Sequence, residues 1–208
     1  MKRSITTILL CGFVFACFGQ ITIDSTNQKT NPILYFEGIV GYAGGNLSGF
    51  TLGGELNFQH KNDLFTVRIQ NHSDADTKFL AFFPFNLLFS KVNIDEYSLL
   101  YGKRFVDNNK SYSISAGLSN NIKHERINEN NEHYWTNERY IGFPFELNIK
   151  WFKEKKERFR VLYGTIPVGK ETSFGRSIGF KLYGNVAKTS YIGIALNIGL
   201  GWHKKYKI

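Results

Sequence analysis

From residue 33 to the C-terminus, apolar and polar residues alternate with a period of two, and no segment sustains the 3.6-residue period of an amphipathic helix. Such a chain is restricted to strands with two unlike faces. Leu34, Phe36, Gly38, Val40 and Tyr42 share one face of a first segment, and Phe50, Leu52, Gly54, Leu56 and Phe58 one face of a second. Phe65, Val67 and Ile69 follow, then Tyr97, Leu99 and Tyr101, then Tyr112, Ile114, Ala116 and Leu118. Ile141, Phe143, Phe145, Leu147, Ile149 and Trp151 mark a sixth, Ile178, Phe180 and Leu182 a seventh. Ile192, Ile194, Leu196, Ile198, Leu200 and Trp202 mark an eighth. Most are long enough to cross a bilayer as tilted strands of about 9 to 11 residues.

The two faces differ in a way that selects an architecture. None of those apolar-face residues is charged, whereas the opposite face is Gly, Ser, Thr, Asn and Gln with eight charges: Glu37, Glu55, Arg68, Glu96, Arg104, Glu146, Lys150 and Lys181. A soluble carrier barrel turns its apolar face inward and dresses its outside with Lys and Glu. Here small polar residues and four acids balanced by four bases suit a narrow enclosed lumen. An uncharged aromatic-rich face suits lipid, where a charge near the midplane costs roughly 2 to 4 kcal/mol. Backbone groups in hydrocarbon must all be paired, which requires a closed barrel. The expected fold is therefore all-β: an antiparallel up-and-down transmembrane β-barrel of eight strands over residues 32–208.

Tyr35, Tyr42, Tyr97, Tyr101, Tyr112, Trp151, Tyr191 and Trp202 fall near strand ends, where interfacial aromatic girdles sit. Connections are short at 44–48, 60–62, 106–110 and 185–189 and long at 73–91 and 120–139. If both termini are periplasmic, the two long connections are extracellular. Phe159, Val161 and Tyr163 also alternate after the Lys153 to Glu157 turn. Eight strands with 158–165 as a hairpin extension is the preferred count. Ten is the alternative, with Lys78 to Phe83 or Gln20 to Asp24 as the tenth. Pro144 cannot donate a ladder hydrogen bond, so a bulge or a strand end is expected there.

The N-terminus reads as an export signal over residues 1–19: Lys2 and Arg3, the apolar run Ile5 to Phe18, and small residues before Gln20. Cleavage after Gly19 removes Cys11 and Cys17, leaving no thiol chemistry. In a competing reading, Cys17 ends a lipobox-like stretch and is lipidated. Residues 20–31 are a polar linker. The formal charge of +9 falls to +7 without Lys2 and Arg3. Because the inward charges cancel, the excess belongs to loops, turns and termini.

Several clusters have the residue types of chemistry. His72 with Asp74 or Asp76 at a barrel mouth is a weak candidate for water activation, in a membrane-embedded hydrolase. Polar loop residues are the plainer reading, since nothing brings a second catalytic group near. His124, Glu125, Glu129 and His133 are metal-ligand types, but their spacing matches no zinc pattern, and no metal or cofactor is expected. The apolar run Phe79 to Phe89 is unusual for a loop in water. It folds back on the lipid interface, supplies an extra hairpin, or presents a patch to a partner. Basic stretches at 153–160 and 204–207 suit lipid headgroups better than nucleic acid in an exported chain.

Leu99-Leu100-Tyr101-Gly102-Lys103-Arg104, Ser113-Ile114-Ser115-Ala116-Gly117 and Gly142-Phe143-Pro144-Phe145-Glu146 add a further signal. So do the closing stretches Gly179 to Asn185 and Ser190 to Ile194. With these, residues 33–203 resemble the small, mostly uncharacterised outer-membrane β-barrel proteins of Bacteroidota. The resemblance implies a location and a fold, without an activity. The insertion 153–174 and the tail His203 to Ile208 depart from the pattern. The expected function is non-enzymatic: a barrel with a filled polar lumen, in contact with outer-membrane lipid. Its structural or surface-binding role would run through loops 73–91 and 120–139. A soluble periplasmic lipid-binding barrel is the other alternative.

Overall fold

A computed structural model describes residues 30–74, 92–129, 132–161 and 166–206, with only the backbone for 127–129, 132–134, 159–161 and 167. Thr30–Tyr206 is one compact unit. The signal segment, most of the linker, Asp76, the run 79–89 and both candidate tenth strands lie outside the described residues.

Eight antiparallel strands close a barrel. In chain order they are β1 (Ile33–Gly45), β2 (Gly49–His60), β3 (Asp63–Asp74), β4 (Val92–Asp107), β5 (Lys110–Glu129), β6 (Glu132–Phe152), β9 (Gly175–Val186) and β10 (Tyr191–Trp202). Around the wall the order is β1-β10-β9-β6-β5-β4-β3-β2. Closure is made by β1 and β10, paired from Leu34 with Trp202 to Gly45 with Tyr191. Between β6 and β9, β7 (Glu157–Val161) and β8 (Ile166–Thr172) form a separate two-stranded sheet. The insertion is thus an added hairpin outside an eight-stranded wall.

Strand parity separates the two ends. Both barrel termini, the links 61–62 and 108–109, and the β7-β8 hairpin lie at one end, called the termini end below. Lys61 (φ 54°) and Asn108 (φ 40°) open those two-residue links in the left-handed region that tight hairpins demand. Glycine is forced where strands approach closely: a Cβ on Gly117 would lie 1.9 Å from the Leu99 carbonyl oxygen.

Three expectations change. Residues 120–129 and 132–139 are not loop: β5 and β6 run on as a paired hairpin from Ser119 with Gly142 to Glu129 with Glu132. The stretch carries no sustained alternation of apolar and polar residues, so its strand character came without the hydrophobic signature. Pro144 makes neither a bulge nor an end. The β5–β6 register is unchanged on both sides of it, and the ladder is interrupted only where Gly117 and Leu118 face Pro144 and Phe143, the proline having no N–H to give. Tyr35 and Tyr191 are not girdle residues, being 2% and 4% exposed. Both have the parity of the inward face, and the lumen takes their rings.

Candidate functional site

Inward side chains fill the barrel. All eight charges of the polar face are buried there, none more than 2% exposed. Arg68 on β3 stands at the centre: Nη2 donates to Glu96 at 2.8 Å, and Nη1 donates to Glu146 at 3.2 Å and lies 3.8 Å from Glu55. Lys181 on β9 donates to Glu146 at 3.0 Å, is also bonded to Glu55, and lies 4.0 Å from Glu37. Lys150 on β6 pairs with Glu37 and sits 3.8 Å from the centroid of the Tyr35 ring, a cation–π contact. Glu37, Glu55 and Glu146 each lie between two bases contributed by other strands, and Glu96 pairs with Arg68, so the network ties the wall across its diameter.

Neutral donors complete the surroundings of Glu37 and Glu96. Asn57 and Asn197 donate to Glu37 at 3.3 and 3.0 Å. Asn185 donates to Glu96 at 2.7 Å, and Ser98 and Tyr191 also donate to it. Burying ions costs several kcal/mol each unless pairing and hydrogen bonding offset the loss of water. This lumen supplies both.

Each end of the network is capped. At the termini end, Arg104 donates to Ser111 at 3.1 Å, to Gln59 at 2.5 Å and to the His203 carbonyl at 3.0 Å, with its guanidinium over the Tyr35 and Phe152 rings. At the far end, His72 is stacked on Tyr191 at 4.9 Å between centroids. Both its ring nitrogens have partners, Thr51 Oγ1 at 2.9 Å and the Leu47 carbonyl at 3.2 Å. His72 is therefore a lumen cap, 1% exposed, with no ring nitrogen left over for a substrate. Asp74 lies two residues on, at the end of β3.

His124 is on β5, and its Nδ1 lies 2.7 Å from Asn137 and its Nε2 3.2 Å from Asp95. Among the described residues no group of three or more His, Cys, Asp or Glu is placed to hold a metal. That His124 contact is part of an outward polar band that sequence reasoning missed. Asn71 donates to Asp95 at 2.7 Å, and Ser73 donates to Asn71 at 2.8 Å and to Asn93 at 3.0 Å. These residues continue the outward parity of β3 and β4 past Ile69 and Tyr97. The signal was there: on the outward face, apolar side chains give way to Asn, Asp and His.

Below that band the outer wall is apolar and open, as with Leu99 at 66% and Ile194 at 69% exposed. Tyr97, Tyr101, Tyr112 and Trp151 are outward and 40–52% exposed, and Trp202 is half-buried. Tyr101, Tyr112, Trp151 and Trp202 lie toward the termini end of their strands.

No known family model matches the sequence, and no curated protein matches it. Among solved structures the chain is similar to the N-terminal β-barrel domain of Pseudomonas aeruginosa OprF. The TM-score is 0.52 at 12% identity, covering 83% of this chain and 98% of that one. It is also matched with Neisserial surface protein A (NspA), with a TM-score of 0.46 at 11% identity, covering 81% and 95%. The likeness to the OprF domain shows a shared β-barrel fold.

Proposed function

We propose that the protein is a non-enzymatic β-barrel of the bacterial outer membrane, exported by a cleaved signal and acting as a structural or surface-binding protein through its far end. The observation that carries this is the contrast between a lumen closed by paired ions and a wall whose exposed side chains are apolar. Such a wall is stable in lipid, and a lumen of about eight strands crossed by paired ions is filled by its own side chains rather than shaped for a transported solute or a carried lipid. Function then falls to the ends.

With the termini periplasmic, the far end is extracellular. It carries the 75–91 connection and the β5–β6 hairpin. Among the described residues β6 pairs with β9 only from Phe143 onward. Glu132 to Gly142 thus form roughly 35 Å of strand, at about 3.3 Å per residue, with one open edge. An open edge accepts an added strand from a partner, and the charges of Glu138 and Arg139 restrict which partner fits. The OprF-like fold and the export signal support the location.

Cell fractionation followed by electrophoresis with and without boiling tests the reading. The expected result is recovery in the outer-membrane fraction, with a band that shifts on boiling as the closed barrel unfolds. Recovery in the soluble fraction without detergent overturns it.

A further inference from the structure

At the termini end a cleft of about 400 Å³ opens between the β7-β8 hairpin, the start of β9 and the C-terminal tail. We propose that this cleft binds a phosphoryl group, with the headgroup of an anionic phospholipid as its source. The proposal rests on the membrane reading above and adds a ligand to it.

Charge is the first argument. Lys153, Lys155, Arg158 and Arg176 line the cleft against a single carboxylate, Glu157. Glu157 is engaged by Lys153. The cleft also sits on the more basic end of the molecule. Outside the lumen, the described segments at the termini end hold twelve Lys and Arg against five Asp and Glu. At the far end four bases face six acids. The positive charge of this barrel is concentrated at the rim where the cleft opens, and a phosphate there meets a net attractive field.

The second argument is a hydrogen-bond acceptor left over in the lining. His203 lines the cleft and is 2% exposed. Its Nε2 lies 3.2 Å from the Gly175 carbonyl, an acceptor, so Nε2 carries the proton. Nδ1 is then a bare lone pair, and it is buried without a partner. A headgroup that brings a hydroxyl beside its phosphate, such as glycerol phosphate, supplies the missing donor.

Position is the third. Phe174 lines the cleft and packs edge-on against Trp202 at 5.4 Å, at the end of the barrel toward which Tyr101, Tyr112 and Trp151 also lie. Aromatic residues of this kind mark where lipid headgroups meet a barrel wall. The adjacent hairpin presents Ile166 and Val168, 47% and 48% exposed, which suits contact with a bilayer surface better than contact with water. Tyr206 donates to the Lys153 carbonyl at 2.8 Å and holds the tail as the remaining wall.

The test is calorimetric titration of the full protein in neutral detergent with three probes: dihexanoyl phosphatidylglycerol, dihexanoyl phosphatidylcholine and glycerol 3-phosphate. The variants are K155Q/R158Q in the cleft and K61Q/K110Q elsewhere on the same rim, which remove equal charge. The boiling-dependent gel shift shows that each is folded and keeps a failure of the barrel reading separate from a failure of the site. Saturable binding of phosphatidylglycerol at one per chain is expected, weakened at least tenfold in K155Q/R158Q and less than twofold in K61Q/K110Q. Phosphatidylcholine should bind more weakly because choline offsets the phosphate charge. Glycerol 3-phosphate binding as tightly as the lipid supports the site and assigns it a soluble source. Absence of saturable binding, equal loss in the two variants, or phosphatidylcholine binding as tightly as phosphatidylglycerol overturns the proposal.

Discussion

The two faces of the same strands obey opposite rules. Leu99 on β4 is 66% exposed while its neighbours Ser98 and Leu100 are 2% and 4% exposed, and on β10 Ile194 is 69% and Ala195 5% exposed. The large apolar groups are outside and the ions inside. In water this arrangement forfeits most of the hydrophobic gain of folding. In a bilayer the outer face is solvated by acyl chains, and cohesion across the interior comes from ion pairs and hydrogen bonds. The difference teaches that this fold is specified from outside by the absence of charge and from inside by its balance.

The largest effect in breaking that balance is expected at Arg68, which faces three carboxylates. Arg68→Met leaves Glu55, Glu96 and Glu146 with one base fewer, and a loss of about 3 to 5 kcal/mol is expected for an unpaired buried charge. Denaturant unfolding in lipid vesicles measures it, and adding Glu96→Gln should restore part of the loss. On the outside, Leu99→Arg places a charge at mid-height of the wall and should cost about 2 to 4 kcal/mol in the same assay. Leu99→Ile should be close to neutral. A smaller effect is expected from bulk alone. Gly117→Val meets backbone within 2.8 Å, at Leu99 and Leu100, and should cost about 1 to 3 kcal/mol. Gly38→Ala, whose nearest neighbour would be 4.0 Å away, should leave unfolding unchanged.

Period two placed the wall strands in the sequence because the outward face of the barrel is written in apolar residues along most of each strand. The inward charges were legible for the same reason, as departures from a Gly, Ser and Asn background. The β5–β6 hairpin beyond Ser119 was not legible, because there the strand pair runs past the closed wall without an apolar face, and its Asn, Glu and Lys read as loop. Tyr35 and Tyr191 were misplaced although their parity was available: each lies next to an outward residue, Phe36 and Ile192, and so points inward. Position near a strand end was a weaker guide than odd or even number. The outward band of Asn71, Asp95 and His124 was announced only by polar residues replacing apolar ones at outward parity, and its contacts, like the cleft at the β7-β8 hairpin, join residues far apart in the chain.

The central claim is that paired ions close the lumen, so the barrel is not a pore. Purified protein inserted into planar lipid bilayers tests this most directly. The account predicts an electrically silent membrane in which insertion is confirmed separately by the boiling-dependent gel shift, and a large stable conductance from the folded protein would contradict it.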